Sequence, residues 1–348
     1  MRAITYHRYG PPDVVALTEV PKPVPRDKEV LIRIHATTVS TGDWRARSLN
    51  MPAGFDLFAR PVFGLFGPRK PVLGMELAGV IEATGKTVSR FKPGDEVFAF
   101  PGALYGCHAE YRTMPEDGLI ARKPANLSFE QASALSFGGT TALHFLRRAG
   151  IKRGDSVLIV GASGSVGTAA VQLAKHFGAR VTGVCSTANV DLVGTIGADS
   201  VIDYTATDFA ATGERYDIIL DTTDTAPLAR CEPLLKQGGR LIEVLASLSF
   251  RRARPDGTSG KRVIAGVAAV RPEDLQKLAE LARLGVLLPI IDRSYPLERA
   301  AEAHAYVDLG RKRGNVVLTV TPNFSGAPRR ATASRSPPVD IPFGALRR

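Results

Sequence analysis

At 348 residues the chain is long enough for about two domains, and a hydrophobic content of 44% places it among ordinary globular proteins rather than disordered or fibrous ones. No apolar run approaches the roughly 18 residues of a membrane span, Met1 to Tyr6 opens like a strand rather than a signal peptide, and Cys107, Cys185 and Cys231, three and widely spaced, fit neither a disulfide framework nor a four-cysteine zinc site. The formal net charge of +11 would point to nucleic acid if it were focused, but residues 322–348 carry five arginines against Asp340 and the other charges are dispersed in sign; the expectation is a cytoplasmic protein with no membrane or nucleic-acid partner and a disordered tail over 322–348.

In chain order, residues 1–124 alternate short β-type runs with glycine and proline turns. Strands are predicted at 30–36, 77–84 and 96–100, with Lys92-Pro93-Gly94-Asp95 as a turn. At Ser128 a helical pattern begins, with Ser128 as N-cap, Gln131 at the reciprocal position of a capping box, and Ala132, Leu135 and Ser136 on one face. A second helix is predicted over 141–148. Val157 to Val160 is short, β-branched and bounded by glycine, as a parallel strand buried on both faces requires. A turn follows at Ala162-Ser163-Gly164-Ser165-Val166-Gly167, and Val166, Ala169, Ala170, Leu173, Ala174 and Phe177 then recur at helical spacing up to Gly178. Strands at 181–184, 201–202, 218–221, 240–245, 263–267 and 316–320, with helices at 272–283 and 297–309, complete an α/β pattern: a β-rich domain followed by a doubly wound parallel sheet of the Rossmann type.

The turn at 162–167 carries the chemistry. Glycines there let the backbone approach a pyrophosphate, and the unpaired N–H groups and positive end of the following helix stabilise its charge. Ala162 stands where the G-x-G-x-x-G pattern has its first glycine, but strand, turn, helix and strand arrive in the required order, so the unit is read as dinucleotide-binding. At the end of the second strand an NAD site usually offers an acid to the ribose. Here the residues are Cys185-Ser186-Thr187-Ala188-Asn189, with no carboxylate before Asp191. Ser186 and Asn189 are donors suited to a 2′-phosphate, which favours NADP(H), although no arginine or lysine stands in the same loop.

The segments Gly74-Met75-Glu76-Leu77-Ala78-Gly79-Val80-Ile81-Glu82-Ala83-Thr84-Gly85 and Phe91-Lys92-Pro93-Gly94-Asp95-Glu96-Val97, followed by the turn at 162–167, resemble the medium-chain dehydrogenase/reductase superfamily. The branch they most resemble is the zinc-free, zeta-crystallin-like quinone oxidoreductases. The resemblance covers residues 1–321. It implies a GroES-like domain over 1–124, completed by 296–321, a Rossmann domain over 125–295, an active site in the cleft between them, and a homodimer. It also implies cofactor contacts from Thr141, Tyr204 and Asn315, and from the backbone of Leu245, Ala246, Val267, Ala268 and Ala269. Arg311 and Arg313 are the candidates for the missing positive charge.

Zinc-dependent relatives carry a cysteine in an early loop and a histidine in a Gly-His-Glu triplet. This chain has Val39-Ser40-Thr41-Gly42-Asp43 and Gly74-Met75-Glu76 at those places, so no metal is expected; Cys107-His108 reads as a structural pair. Without a metal, hydride from NADPH needs an acceptor that is already electrophilic, such as a quinone or an α,β-unsaturated carbonyl. Ser40, Thr41 and Asp43 are the catalytic candidates. Either Ser40 or Thr41 donates a hydrogen bond to the developing oxyanion, or Asp43 simply holds a structural loop. Trp44 and residues 55–66 line an apolar pocket or belong to the core. Two other functions stay open: a zinc-free alcohol dehydrogenase or carbonyl reductase, for which the sequence shows no acid, and a non-catalytic NADPH-binding protein that binds RNA through its basic surface.

Overall fold

The computed structural model describes residues 1–51, 56–244 and 260–320. The tail and the positions Leu245 and Ala246 lie outside the described residues. In chain order the first part holds β1 (Arg2–Thr5), β2 (Ala16–Glu19), β3 (Glu29–Val39), α1 (Thr41–Ser48), α2 (Asp56–Phe63), β4 (Leu77–Thr84), β5 (Glu96–Ala99), β6 (Tyr111–Pro115) and β7 (Ile120–Arg122). Two helices, α3 (Phe129–Ser133) and α4 (Ser136–Ala149), lead to β8 (Ser156–Val160), α5 (Ser165–His176), β9 (Arg180–Cys185), α6 (Val190–Thr195), β10 (Ser200–Asp203), β11 (Tyr216–Asp221), α7 (Leu228–Cys231) and β12 (Leu235–Glu243). Then come β13 (Arg262–Ala265), α8 (Pro272–Arg283), β14 (Ile291–Pro296), α9 (Ala300–Asp308) and β15 (Asn315–Thr319).

The strands form two large sheets. One is six-stranded and parallel, in the order β10-β9-β8-β11-β12-β13. The order reverses beside β8, so a crevice opens there at the carboxyl ends of the strands. The other is the seven-stranded sheet β14-β15-β3-β4-β5-β7, with β6 also paired to β3. The fold is therefore a GroES-like β domain joined to a Rossmann-type parallel sheet.

Helix α5 is buried from Ser165 to Ala174 because small residues dominate its faces, and it packs tightly against α4. A fully buried leucine such as Leu173 contributes about 2 kcal/mol on this helix. The core around α4 and α5 also takes in Ala78, Phe98, Phe100 and Ala121 from the other sheet, so the two halves share one apolar cluster.

Several elements depart from the sequence pattern. The predicted loop at 39–43 is the end of β3 and the first turn of α1, with Ser40 as N-cap. Arg47 on that helix is fully buried and its Nη2 donates to both carboxylate oxygens of Asp308 at 2.6 Å, tying α1 to α9. The helix begun at Ser128 closes after one turn at Ser133, and α4 starts at Ser136, five residues before the predicted Thr141. Strand β14 has no predicted counterpart, and it joins the seven-stranded sheet in parallel with β15 from Ile291 onward. Phe66 is 102% exposed and outside the core, whereas Phe63 packs on the buried cluster of the seven-stranded sheet.

Candidate active site

The glycine-rich turn is shaped by close approach rather than by its sequence pattern alone. The residue with positive φ is Gly161 (φ 79°), one position before Ala162, which explains why alanine is tolerated at 162. A Cβ on Gly161 would lie 2.4 Å from Thr223 Cγ2, and one on Gly167 would lie 2.1 Å from the Gly161 carbonyl oxygen. Gly164 is the extended N-cap of α5 and supplies no side-chain cap. The first-turn N–H groups of α5 therefore remain available for an anion. A pyrophosphate fits this cradle, which supplies donors without a bulky side chain in the way.

Behind the turn, Gly314 N–H donates to Ser163 O at 2.7 Å, and Ser165 Oγ donates to Asn315 Oδ1 at 2.7 Å. Asn315 Nδ2 in turn donates to Ile290 O at 3.0 Å. Ser165 and Asn315 thus hold each other, and β15 of the seven-stranded sheet is stitched to the turn at 162–167.

At the carboxyl end of β9, Asn189 is buried, its Nδ2 donates to Ser186 Oγ at 3.1 Å, and its Oδ1 has no partner. Such an orphaned polar atom fits a ligand at this corner. Tyr204 is 60% exposed beside it, its N–H bonded to Cys185 O. One carboxylate stands here that the pattern at 185–189 did not reveal: Asp203 accepts from Thr187 Oγ1 at 2.6 Å and from Thr205, and these bonds lower its pKa.

At the other end of the crevice, Thr141 Oγ1 donates to Phe137 O at 2.7 Å, and α4 passes so close to α5 that a Cβ on Gly138 would meet Ser165 O at 2.4 Å. After β13, Val267 and Ala269 are exposed and Ala268 is half-buried.

The early corner is a network of side chains. Ser40 Oγ donates to Asp43 Oδ2 at 2.6 Å, Ser40 N–H donates to the same oxygen at 2.8 Å, and Asp43 N–H donates back to Ser40 Oγ at 3.2 Å. The other carboxylate oxygen, Oδ1, accepts from Gly74 N–H at 2.8 Å. Asp43 is thus a fully buried cap and the Ser40 proton is committed to it, whereas none of these bonds uses the half-buried Thr41 hydroxyl. Met75 lies against the same turn, its Sδ 3.6 Å from Ser40 Oγ.

Three ionisable groups here escaped sequence reasoning. Glu76 is fully buried; its Oε1 accepts from Thr38 Oγ1 at 2.6 Å and its Oε2 from Phe137 N–H at the start of α4 at 2.7 Å. Burial pushes its carboxyl up to about 7 against the effect of those bonds. Lys312, between the exposed Arg311 and Arg313, turns inward and donates from Nζ to Gly314 O at 2.6 Å; burial brings its ammonium down to about 8, with Glu76 and Asp292 opposing. Glu243, at the end of β12 beside Asp221, is 5% exposed with both oxygens unpartnered, and burial followed by the Asp221 and Asp224 charges pushes it up to about 7. Each depends on stretches far apart in the chain. His108, by contrast, is structural: its Nε2 bonds Thr38 O at 2.9 Å.

The comparisons with known proteins agree with this geometry. Residues 26–125 match the alcohol dehydrogenase GroES-like domain and residues 196–318 the zinc-binding dehydrogenase domain. Fold and site together define a medium-chain dehydrogenase/reductase, an oxidoreductase enzyme with a nicotinamide cofactor. The chain is 33% identical to human quinone oxidoreductase over 324 residues, covering 87% of this chain and 93% of that protein. It is 32% identical to 2-methylene-furan-3-one reductase of Solanum lycopersicum over 334 residues, covering 92% and 80%. The solved quinone oxidoreductase of Coxiella burnetii superposes with a TM-score of 0.80 at 29% identity, covering 92% of this chain and 99% of that one. The chain belongs to the quinone oxidoreductase family of that superfamily.

Proposed function

We propose that the enzyme transfers hydride from NADPH to a quinone or an α,β-unsaturated carbonyl, without zinc. The observation that carries this reading is the corner at Ser40, Asp43 and Met75. Where zinc-dependent relatives place ligands, this chain has a hydroxyl committed to Asp43 and a thioether packed on α1, so the acceptor must be electrophilic without a Lewis acid. The cofactor supplies the hydride. The protein holds the pyrophosphate on the α5 N-terminus, positions the nicotinamide against Thr141 and the backbone after β13, and offers the Thr41 hydroxyl to the oxygen that gains charge. Ser186, oriented by the Asn189 Nδ2, and Tyr204 favour the 2′-phosphate. Lys312 alone of the three neighbouring cations turns inward, on the loop whose Gly314 N–H holds Ser163 O, where its charge favours the pyrophosphate. A cytoplasmic homodimer belongs to the same proposal.

The test is oxidation of NADPH and of NADH by metal-free protein with a 1,4-quinone, an enone and a saturated ketone, each with and without added zinc. Turnover of quinone or enone with NADPH, indifferent to zinc, is expected. Activity only on the ketone, or only with zinc, would overturn the reading, and tight NADPH binding without turnover of any acceptor would make this a binding protein.

A further inference from the structure

The end of α2 and the turn that follows it present three large apolar side chains within five residues: Val62, Leu65 and Phe66, at 63%, 54% and 102% exposure. It is firmly mounted. Gly64 N–H donates to Arg60 O at 2.8 Å, Arg69 N–H donates to Phe63 O at 2.8 Å, and Tyr9 OH donates to Gly64 O at 2.9 Å, while Phe63 anchors the turn to the core beneath. A Cβ on Gly64 (φ 136°) would lie 1.9 Å from Gly67 O, so Phe66 sits at the tip of a tight bend that pushes it outward.

Around this tip stand Arg60, Arg69 and Lys70, all exposed, and among the described residues none of them has a carboxylate partner. Arg60 reaches back to Leu65 O at 3.2 Å and lies 5.9 Å from the Tyr9 ring, which fixes its charge beside the apolar tip. Arg8 adds a fourth cation, facing Asp13 at 3.8 Å.

An apolar wedge beside Arg60, Arg69 and Lys70, which have no carboxylate partner among the described residues, matches one surface chemically: the headgroup boundary of an anionic bilayer, where apolar side chains enter the acyl edge and cations meet phosphate. A second copy docked about a two-fold axis on this tip would bring the same cations face to face, which opposes that occupant. We propose that this turn docks the enzyme peripherally on membranes rich in anionic phospholipid, Leu65 and Phe66 inserted and Arg60, Arg69 and Lys70 over the phosphates. This departs from the sequence expectation of no membrane partner, and it stands independently of the reaction proposed above. It requires no spanning segment: no helix among the described residues is long and apolar enough to cross a membrane.

The test is co-sedimentation of the full chain with vesicles of phosphatidylcholine alone and of phosphatidylcholine with phosphatidylglycerol. Binding to the phosphatidylglycerol vesicles, weakened by salt and lost on phosphatidylcholine alone, is expected. The double variant Arg69→Gln/Lys70→Gln should lower the partition coefficient about thirtyfold, at about 1 kcal/mol per cation near an anionic surface, and Phe66→Ser about tenfold. The basic tail is present in every protein, so variants that bind as well as the wild type would assign the binding elsewhere and overturn the proposal. Failure of the wild type to bind phosphatidylglycerol vesicles would also overturn it, as would self-association of the wild type that Phe66→Ser abolishes.

Discussion

The two walls of the cleft are built from different material. On the parallel-sheet side, the turn at Gly161 to Gly167 presents backbone, and its shape depends on the absence of side chains. On the antiparallel side, Ser40, Asp43, Thr38 and Glu76 hold one another through buried side-chain bonds. The first wall tolerates exchange at positions such as Ala162 but no atom added at Gly167. The second tolerates close packing but no unpaired partner. This chain thus joins a turn shaped by backbone to a corner built from buried side chains.

The largest expected effect tests the backbone wall. In Gly167→Ala the new methyl must displace backbone at Gly161 and Ala162, and NADPH affinity should fall about a hundredfold, measured by quenching of protein fluorescence; retained affinity would show that the cradle can relax. Asp43→Ala breaks the side-chain wall. It removes the carboxylate half of the capping box on α1 and leaves the buried Ser40 and Gly74 N–H groups unpaired, which should cost about 2 kcal/mol in urea denaturation.

Glu76 sharpens the comparison through pH. Its folded pKa of about 7 lies above its ordinary value of 4.5, so the stability it contributes is fully present below that ordinary value and is lost as pH rises through about 7. Relative to wild type, Glu76→Gln should therefore gain about 2 kcal/mol between about pH 5 and pH 8, and parallel melting curves for the two proteins would refute the assignment. The smallest effect is at the adenosine corner. There Ser186→Asp should shift the NADPH-to-NADH preference about tenfold toward NADH, and an unchanged ratio would sink the phosphate assignment.

The backbone wall was legible because its requirements are local. A β-branched run, glycines and a helical repeat of small residues lie in one stretch, and the Ser128/Gln131 capping box appears as the sequence pattern requires. A similar capping signal at Ser40 and Asp43 was obscured because Trp44-Arg45-Ala46-Arg47 lacks an apolar repeat; Arg47 is buried only because Asp308, 261 residues away, pairs with it. Strand β14 was missed because its sequence, IDRSYP, is polar and largely solvent-facing. Glu76 and Lys312 acquire their shifted charges from burial between distant segments, which no spacing in the chain encodes.

The stitch between Ser165 and Asn315 spans 150 residues. It sets an order of events during synthesis: the phosphate turn is translated well before the strand that braces it, and the cradle is complete only when β15 has docked. The turn is therefore braced only once the parallel sheet and the seven-stranded sheet have come together.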